Sequence, residues 1–170
     1  MKKSIKKILI AVLIIALLFG ISVLLISIGL FKKQLAQREM GNPGSSCRIS
    51  ISGTRSDFKN KVLEGILTRY KKKCYIKINS LFKLSNVDED KYNAIIIFDD
   101  LYASMNTDLF VKRNIKRIKN KNKIIFLLTT NKKEDFKFSY EGVDAITCAS
   151  LKKREKSSIS KIIKKVDKLL

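Results

Sequence analysis

Apolar residues dominate every turn from position 8 to position 31, with no charge and no proline, and lysines fence the run on both sides: Lys2, Lys3, Lys6 and Lys7 before it, Lys32 and Lys33 after it. At about 1.5 Å per helical residue the run covers roughly 36 Å, against a bilayer hydrocarbon core of about 30 Å. A buried core helix keeps a polar stripe, and the apolar heart of a cleaved signal is about 7 to 15 residues long. No small-x-small cleavage pattern follows, since the chain continues Phe31-Lys32-Lys33-Gln34. The pattern therefore predicts one uncleaved transmembrane helix over 8–31, with a basic tail over 1–7. The slight excess of lysine before the run orients the tail to the cytoplasm and the rest of the chain to the extracytoplasmic side of the cell membrane.

Beyond a polar stretch over 32–46, which contains Gly41-Asn42-Pro43-Gly44 and reads as a linker, the pattern changes period. Residues 48–52 alternate apolar and polar, as a short strand does, and Gly53 supplies a turn. Ser56 is placed to cap a helix carrying Asp57 in its first turn and Phe58, Val62, Leu63, Ile66, Leu67 and Tyr70 at helical spacing. Residues 74–79 alternate again, as an edge strand with one wet face does. In contrast, 94–98 and 123–128 are unbroken apolar runs, the mark of parallel strands buried on both faces. Thr107 or Asp108 can cap a helix bearing Leu109, Val111, Ile115 and Ile118 between them. A last strand over 143–149 precedes a closing helix with Ile159, Ile162, Ile163, Val166, Leu169 and Leu170 on one stripe.

Segments 81–91 and 131–142 are too short and irregular for full helices, so loops or single turns are expected there. Alternating elements of this kind predict one α/β domain over 47–170, a three-layer, doubly wound parallel sheet with trimmed helices on both faces.

Charge and cysteine content narrow the chemistry. The chain carries 36 Lys and Arg against 15 Asp and Glu, a net charge of +21, which favours acidic partners or anionic headgroups. The basic clusters Lys71-Lys72-Lys73 and 112–123 lack interleaved aromatics, so no nucleic-acid partner is expected. There is no histidine, which removes the usual zinc ligand and the usual general base, and no metal is expected. Cys47, Cys74 and Cys148 have no close spacing; an odd count argues against a full disulfide framework, and Cys74 and Cys148 read as small buried apolar residues.

From residue 48 onward the chain resembles a small flavodoxin-like domain, on its entry to the third strand (Tyr92-Asn93-Ala94-Ile95-Ile96-Ile97) and on its fourth strand (123–130). The resemblance implies the strand order 2-1-3-4-5 and a site for FMN. Flavodoxins hold the FMN phosphate in a Ser/Thr-x-Thr-Gly-Asn-Thr loop after the first strand, using backbone amides, hydroxyls and a helix N-terminus. The equivalent loop here is Ser52-Gly53-Thr54-Arg55-Ser56-Asp57, so Ser52 and Thr54 match, Gly53 lies between them, and Arg55 and Ser56 replace Gly and Asn. The ring would be bordered by Tyr102 and by Thr130 and Asn131. Asp99 and Asp100 lie at the third strand's end, where solvated charge is expected. Separately, Asp144-Ala-Ile-Thr147-Cys148-Ala149-Ser150 resembles the motif of exported FMN-binding domains, which implies Ser150 as a phosphoester site.

Two functions follow as expectations. One is FMN-dependent electron transfer beside the bilayer, with a membrane redox partner. The other is a non-enzymatic, membrane-tethered interaction module that kept the sheet, lost the flavin, and meets lipid headgroups or an acidic protein through its basic surface.

Overall fold

The two unbroken apolar runs form adjacent central strands. In a computed structural model, which describes residues 2–27, 33–101, 109–130 and 137–170, β4 (Ala94–Asp100) and β5 (Ile124–Thr130) pair in parallel from Ile95↔Ile124 to Asp100↔Thr129. Every residue of β5 is buried, as is every residue of β4 before Asp100, because helices or turns cover both faces. Around this pair lie β2 (Arg48–Gly53), β3 (Tyr75–Ser80) and β7 (Val143–Ala149), and these five strands all run parallel to one another.

The sheet departs from the order expected. It has seven strands, β1-β3-β2-β4-β5-β7-β6, not five in the order 2-1-3-4-5. The five parallel strands keep the expected succession inside it, and short antiparallel strands cap both edges: β1 (Arg38–Met40) on β3 and β6 (Ser139–Tyr140) on β7. Strand β3 is therefore not an edge. Its wet face carries Lys77, whose Nζ lies 2.8 Å from Glu39 Oε1 on the directly opposed residue of β1. The stretch read as a linker contributes this strand and also buries Leu35 in the core. Three- and two-residue strands carry too little pattern to be recognised in sequence, yet they cover backbone edges that would otherwise pair with other chains.

Helices cover both faces. On one, α2 (Asp57–Tyr70) and α4 (Glu155–Val166) pack over Ile49, Ile51, Ile96, Phe98 and Leu127; Tyr70 donates a 2.6 Å hydrogen bond to Asp167 Oδ1 and ties the two helices together. On the other, α3 (Leu109–Arg117) and the 3₁₀ segment Leu81–Asn86 cover Ile95, Ile97, Phe126 and Leu128. The trimmed crossover after β3 is two 3₁₀ turns, Leu81–Asn86 and Glu89–Lys91. Ser56 caps α2 as expected, its Oγ accepting from the Lys59 amide at 3.2 Å. The proposed caps Thr107 and Asp108 lie outside the described residues.

Cys74 is not simply a small apolar residue. It is bonded to Cys47, closing a separation of 27 residues and joining the entries to β2 and β3, while Cys148 is buried on β7 outside the disulfide.

The chain divides into two units, Met1–Lys32 and Lys33–Leu170. In the first, α1 runs Lys2–Ser27. Consecutive apolar residues Ile10, Val12, Leu13, Ile14, Ile15, Leu17, Leu18 and Phe19 are all exposed, so they cover more than one face. Among the described residues no helix is long and apolar enough to cross a membrane. The expected span 8–31 runs on into residues 28–31, outside those described.

Gly53 is fixed by the packing of β2 on β4. A Cβ there would lie 2.5 Å from Phe98 Cβ, 2.6 Å from its carbonyl oxygen and 2.9 Å from its nitrogen. Gly53→Ala must push two central strands apart and is expected to destabilise the domain by about 2 kcal/mol or more, measured as a lowered denaturant midpoint with unchanged slope.

Candidate functional site

At the carboxyl end of a doubly wound sheet, the strands flanking the order reversal diverge and leave a crevice where ligands of such folds bind. Here those strands are β2 and β4, and the crevice is built from residues on four elements. Gly53 ends β2, residues 54–56 connect it to α2, and Ser56 caps that helix. Lys59 stands in the first turn of α2, on the same stripe as Val62, Leu63 and Ile66, so the fold that buries that stripe also buries its side chain completely.

A buried ammonium requires a partner, and Asp100 supplies it. Lys59 Nζ lies 2.6 Å from Asp100 Oδ1 and also donates to Thr54 Oγ1. Thr54 in turn donates to Asp100 Oδ2 at 2.9 Å, and Thr129 donates to Asp100 Oδ1 at 2.7 Å. Both carboxylate oxygens are thus engaged. Burial alone would raise the Asp100 carboxyl, but the Lys59 ammonium and the Thr129 and Thr54 hydroxyls outweigh it and hold the group below its ordinary range. Asp99 is fully buried on the opposite face of β4. Neither carboxylate is the freely solvated strand-end charge expected from sequence, because the strand continues two residues further than its apolar run, burying Asp99 and leaving Asp100 partly exposed but ion-paired.

The structure separates the residues predicted to cradle a phosphate. Ser52 lies within β2 rather than in the loop; its fully buried side chain faces the layer that contains the Leu81–Asn86 turn, and its hydroxyl has no hydrogen-bond partner there. Gly53 is fixed against Phe98. The Thr54 hydroxyl belongs to the ion-pair network. Ser56 spends its hydroxyl on the helix cap. Two loop amides are also taken: Thr54 N–H donates to Phe98 O at 3.0 Å and Arg55 N–H to Lys33 O at 2.6 Å.

Residues 33–35 lie across this end of the sheet. Leu35 N–H donates to Gly53 O, Gln34 bridges to Thr54, and Gln34 Oε1 accepts from the Leu81 amide. Of the five loop residues predicted to hold the phosphate, Ser52 to Ser56, Arg55 is the exposed one. Thr130 is buried at the end of β5, its carbonyl accepting from Ser150 N–H at 3.1 Å; Tyr102 and Asn131 lie outside the described residues. Ser150 is exposed just beyond β7, and Cys148, where the covalent-flavin motif has glycine, is buried and accepts a 3.4 Å hydrogen bond from Ser158 Oγ. Among the described residues no cluster of His, Cys, Asp and Glu is grouped to hold a metal ion.

Sequence reasoning missed Lys59 and Thr129. The signal for Lys59 was present: a lysine at i with Val62, Leu63 and Ile66 at i+3, i+4 and i+7 sits on a core-facing stripe and needs a buried acid.

No family model matches the chain, and no curated protein does. Among solved structures, oxidised flavodoxin 2 from Bacillus cereus superimposes with a TM-score of 0.47 at 10% identity, over 73% of this chain and 100% of that one. The lysine decarboxylase LdcF from Francisella novicida superimposes with a TM-score of 0.44 at 10% identity, over 76% of this chain and 18% of that one.

The network sets a pH dependence. With the folded carboxyl below its unfolded value near 3.8, the stabilisation from Asp100 is fully present above about pH 5 and is lost as pH falls through the folded value. Asp100→Asn should flatten the acid limb of the stability curve. At neutral pH it should destabilise by about 3 kcal/mol or more through the stranded Lys59 charge, and Lys59→Met in the same chain should recover part of that loss. Denaturant midpoints of the four-member cycle across pH 3 to 7 measure this; additive single effects would refute the coupling.

Proposed function

We propose that this protein is a membrane-anchored, extracytoplasmic interaction module built on a flavodoxin-like sheet, with its ancestral ligand crevice filled by its own side chains and its contacts made through its basic surface. The observation that carries this reading is the Lys59–Asp100 pair with Thr54 and Thr129 at the strand reversal, together with the engagement of the Thr54 and Arg55 amides by Phe98 O and Lys33 O. A phosphate placed there would meet the Asp100 carboxylate, and the two loop amides would have to leave carbonyls of this chain. FMN-dependent electron transfer with a membrane redox partner is the competing function, and this geometry weighs against it.

The anchor rests on α1 and its sequence. Consecutive exposed apolar positions around a helix are unfavourable in water and favourable in hydrocarbon, and lysines bracket the apolar run. Export is supported by the Cys47–Cys74 disulfide, because such bonds form and persist in oxidising compartments.

Two measurements test the reading. The full chain, purified in detergent, incubated with FMN and desalted, is expected to carry no flavin absorbance; a retained flavin spectrum would sink the module reading. In intact cells, an impermeant reductant followed by an impermeant thiol reagent is expected to label the half-buried Cys47 without lysis. Labelling that appears only after lysis places the domain in the cytoplasm and refutes export.

A further inference from the structure

We propose that the groove between α4 and β7 binds an extended acidic peptide segment of a partner protein, an inference that rests on the module reading and names the contact it makes. Lys161, Lys164, Lys165 and Lys168 recur at i, i+3, i+4 and i+7, so they form one stripe along α4 and the turn after it. With Ala145, Ile146 and Thr147 of β7 as its floor, this stripe bounds a groove of about 410 Å³. The opposite side of α4 is fixed in the core through Ile162 and Val166, both fully buried, so the helix presents its lysines from a rigid base.

The stripe opposes its own stability. Lys161 and Lys165, and Lys164 and Lys168, stand four residues apart, and like charges so placed destabilise a helix by roughly 0.2–0.5 kcal/mol per pair. Among the described residues none of the four has a carboxylate partner; Lys165 donates only to the Asp144 backbone carbonyl at 3.3 Å. The nearby acid in sequence, Asp167, is turned away to Tyr70 and Arg69. Asp144 borders Lys165 and Lys168 without an ion pair to either, so four lysines with no bonded carboxylate, around a floor that includes Ile146, are complementary to a ligand that brings acidic groups and some apolar surface.

The concave shape selects the class of ligand. A bilayer surface is broad and flat and meets ridges, whereas a single extended strand fits a groove and reaches its floor. The lysines span about 10 Å along the helix axis. An extended peptide repeats its same-side residues about every 6.6 Å, so two carboxylates on alternate residues fall within the stripe while the intervening side chains turn away.

The test uses the full chain in nanodiscs of phosphatidylcholine, with a fluorescent peptide of about ten residues alternating Glu and Val, read by anisotropy. Binding is expected at low salt, weakening roughly tenfold as salt is raised from about 50 to 300 mM. The combined K161Q, K164Q and K168Q variant should lose about tenfold in affinity while its Tm holds or rises, since it removes self-repulsion. The matching change at the other lysine cluster, K71Q, K72Q and K73Q, should leave affinity within about twofold, separating a local site from bulk charge. Equal binding by the groove variant, equal loss in the control variant, or equal binding of a peptide with Gln in place of Glu would each overturn the proposal. So would protection of these four lysines from amine labelling by vesicles containing phosphatidylglycerol but not by the peptide. Flavin uptake is measured separately and sinks the module reading without altering peptide affinity, so the two failures are distinguishable.

Discussion

A lysine ammonium with no exposure to water governs the carboxyl end of this sheet. Isolating such a charge in a protein interior is prohibitive unless a counter-charge and hydrogen bonds accompany it. Lys59 can reach only what its helix places nearby, and the neutralising groups come from three other elements: Thr54 after β2, Asp100 on β4 and Thr129 on β5. One side chain thus fixes the approach of α2 to the strands and the register of their ends. Gly53 belongs to the same constraint, because only a residue without Cβ lets β2 lie close enough to Phe98 for Thr54 to enter the network.

That constraint also decides what the crevice can do. A ligand pocket in this topology needs unpaired donors at the first loop and the helix start, held open until a phosphate arrives. Here residues 33–35 cross the opening and two loop amides bond carbonyls of the same chain. The cation and the anion at the centre satisfy each other. The arrangement makes this end of the domain internally bonded, with its charges and loop amides satisfied by the chain itself.

The fold was legible where the physics is local. Unbroken apolar runs marked β4 and β5, alternation marked β2 and β3, and Ser56 marked the start of α2, because burial on both faces, burial on one face and capping each leave their own period in sequence. The edge strands were not legible: two or three residues hold no period, and their pairing is set by the strands they meet. The Lys59–Asp100 network was hidden for a related reason. Its loop motif lies in consecutive residues and is easily compared, whereas the network joins positions 54, 59, 100 and 129, which only the folded sheet brings together. Lys59 was the one visible clue, a charge on an otherwise apolar stripe.

The same contrast separates the two groups of lysines on the α2/α4 layer. Lys59 is buried, paired and bound on several sides, so its charge does structural work and is unavailable to any partner. The α4 stripe is exposed and self-repelling, and its neighbour Asp167 is held by Tyr70 and Arg69 rather than by the stripe. A net charge of +21 spread evenly would say little beyond solubility. Its unequal neutralisation says more: this layer pairs its charge at the crevice and leaves the four lysines beside β7 without an ion pair among the described residues, which is the asymmetry on which the proposed acidic-peptide contact rests.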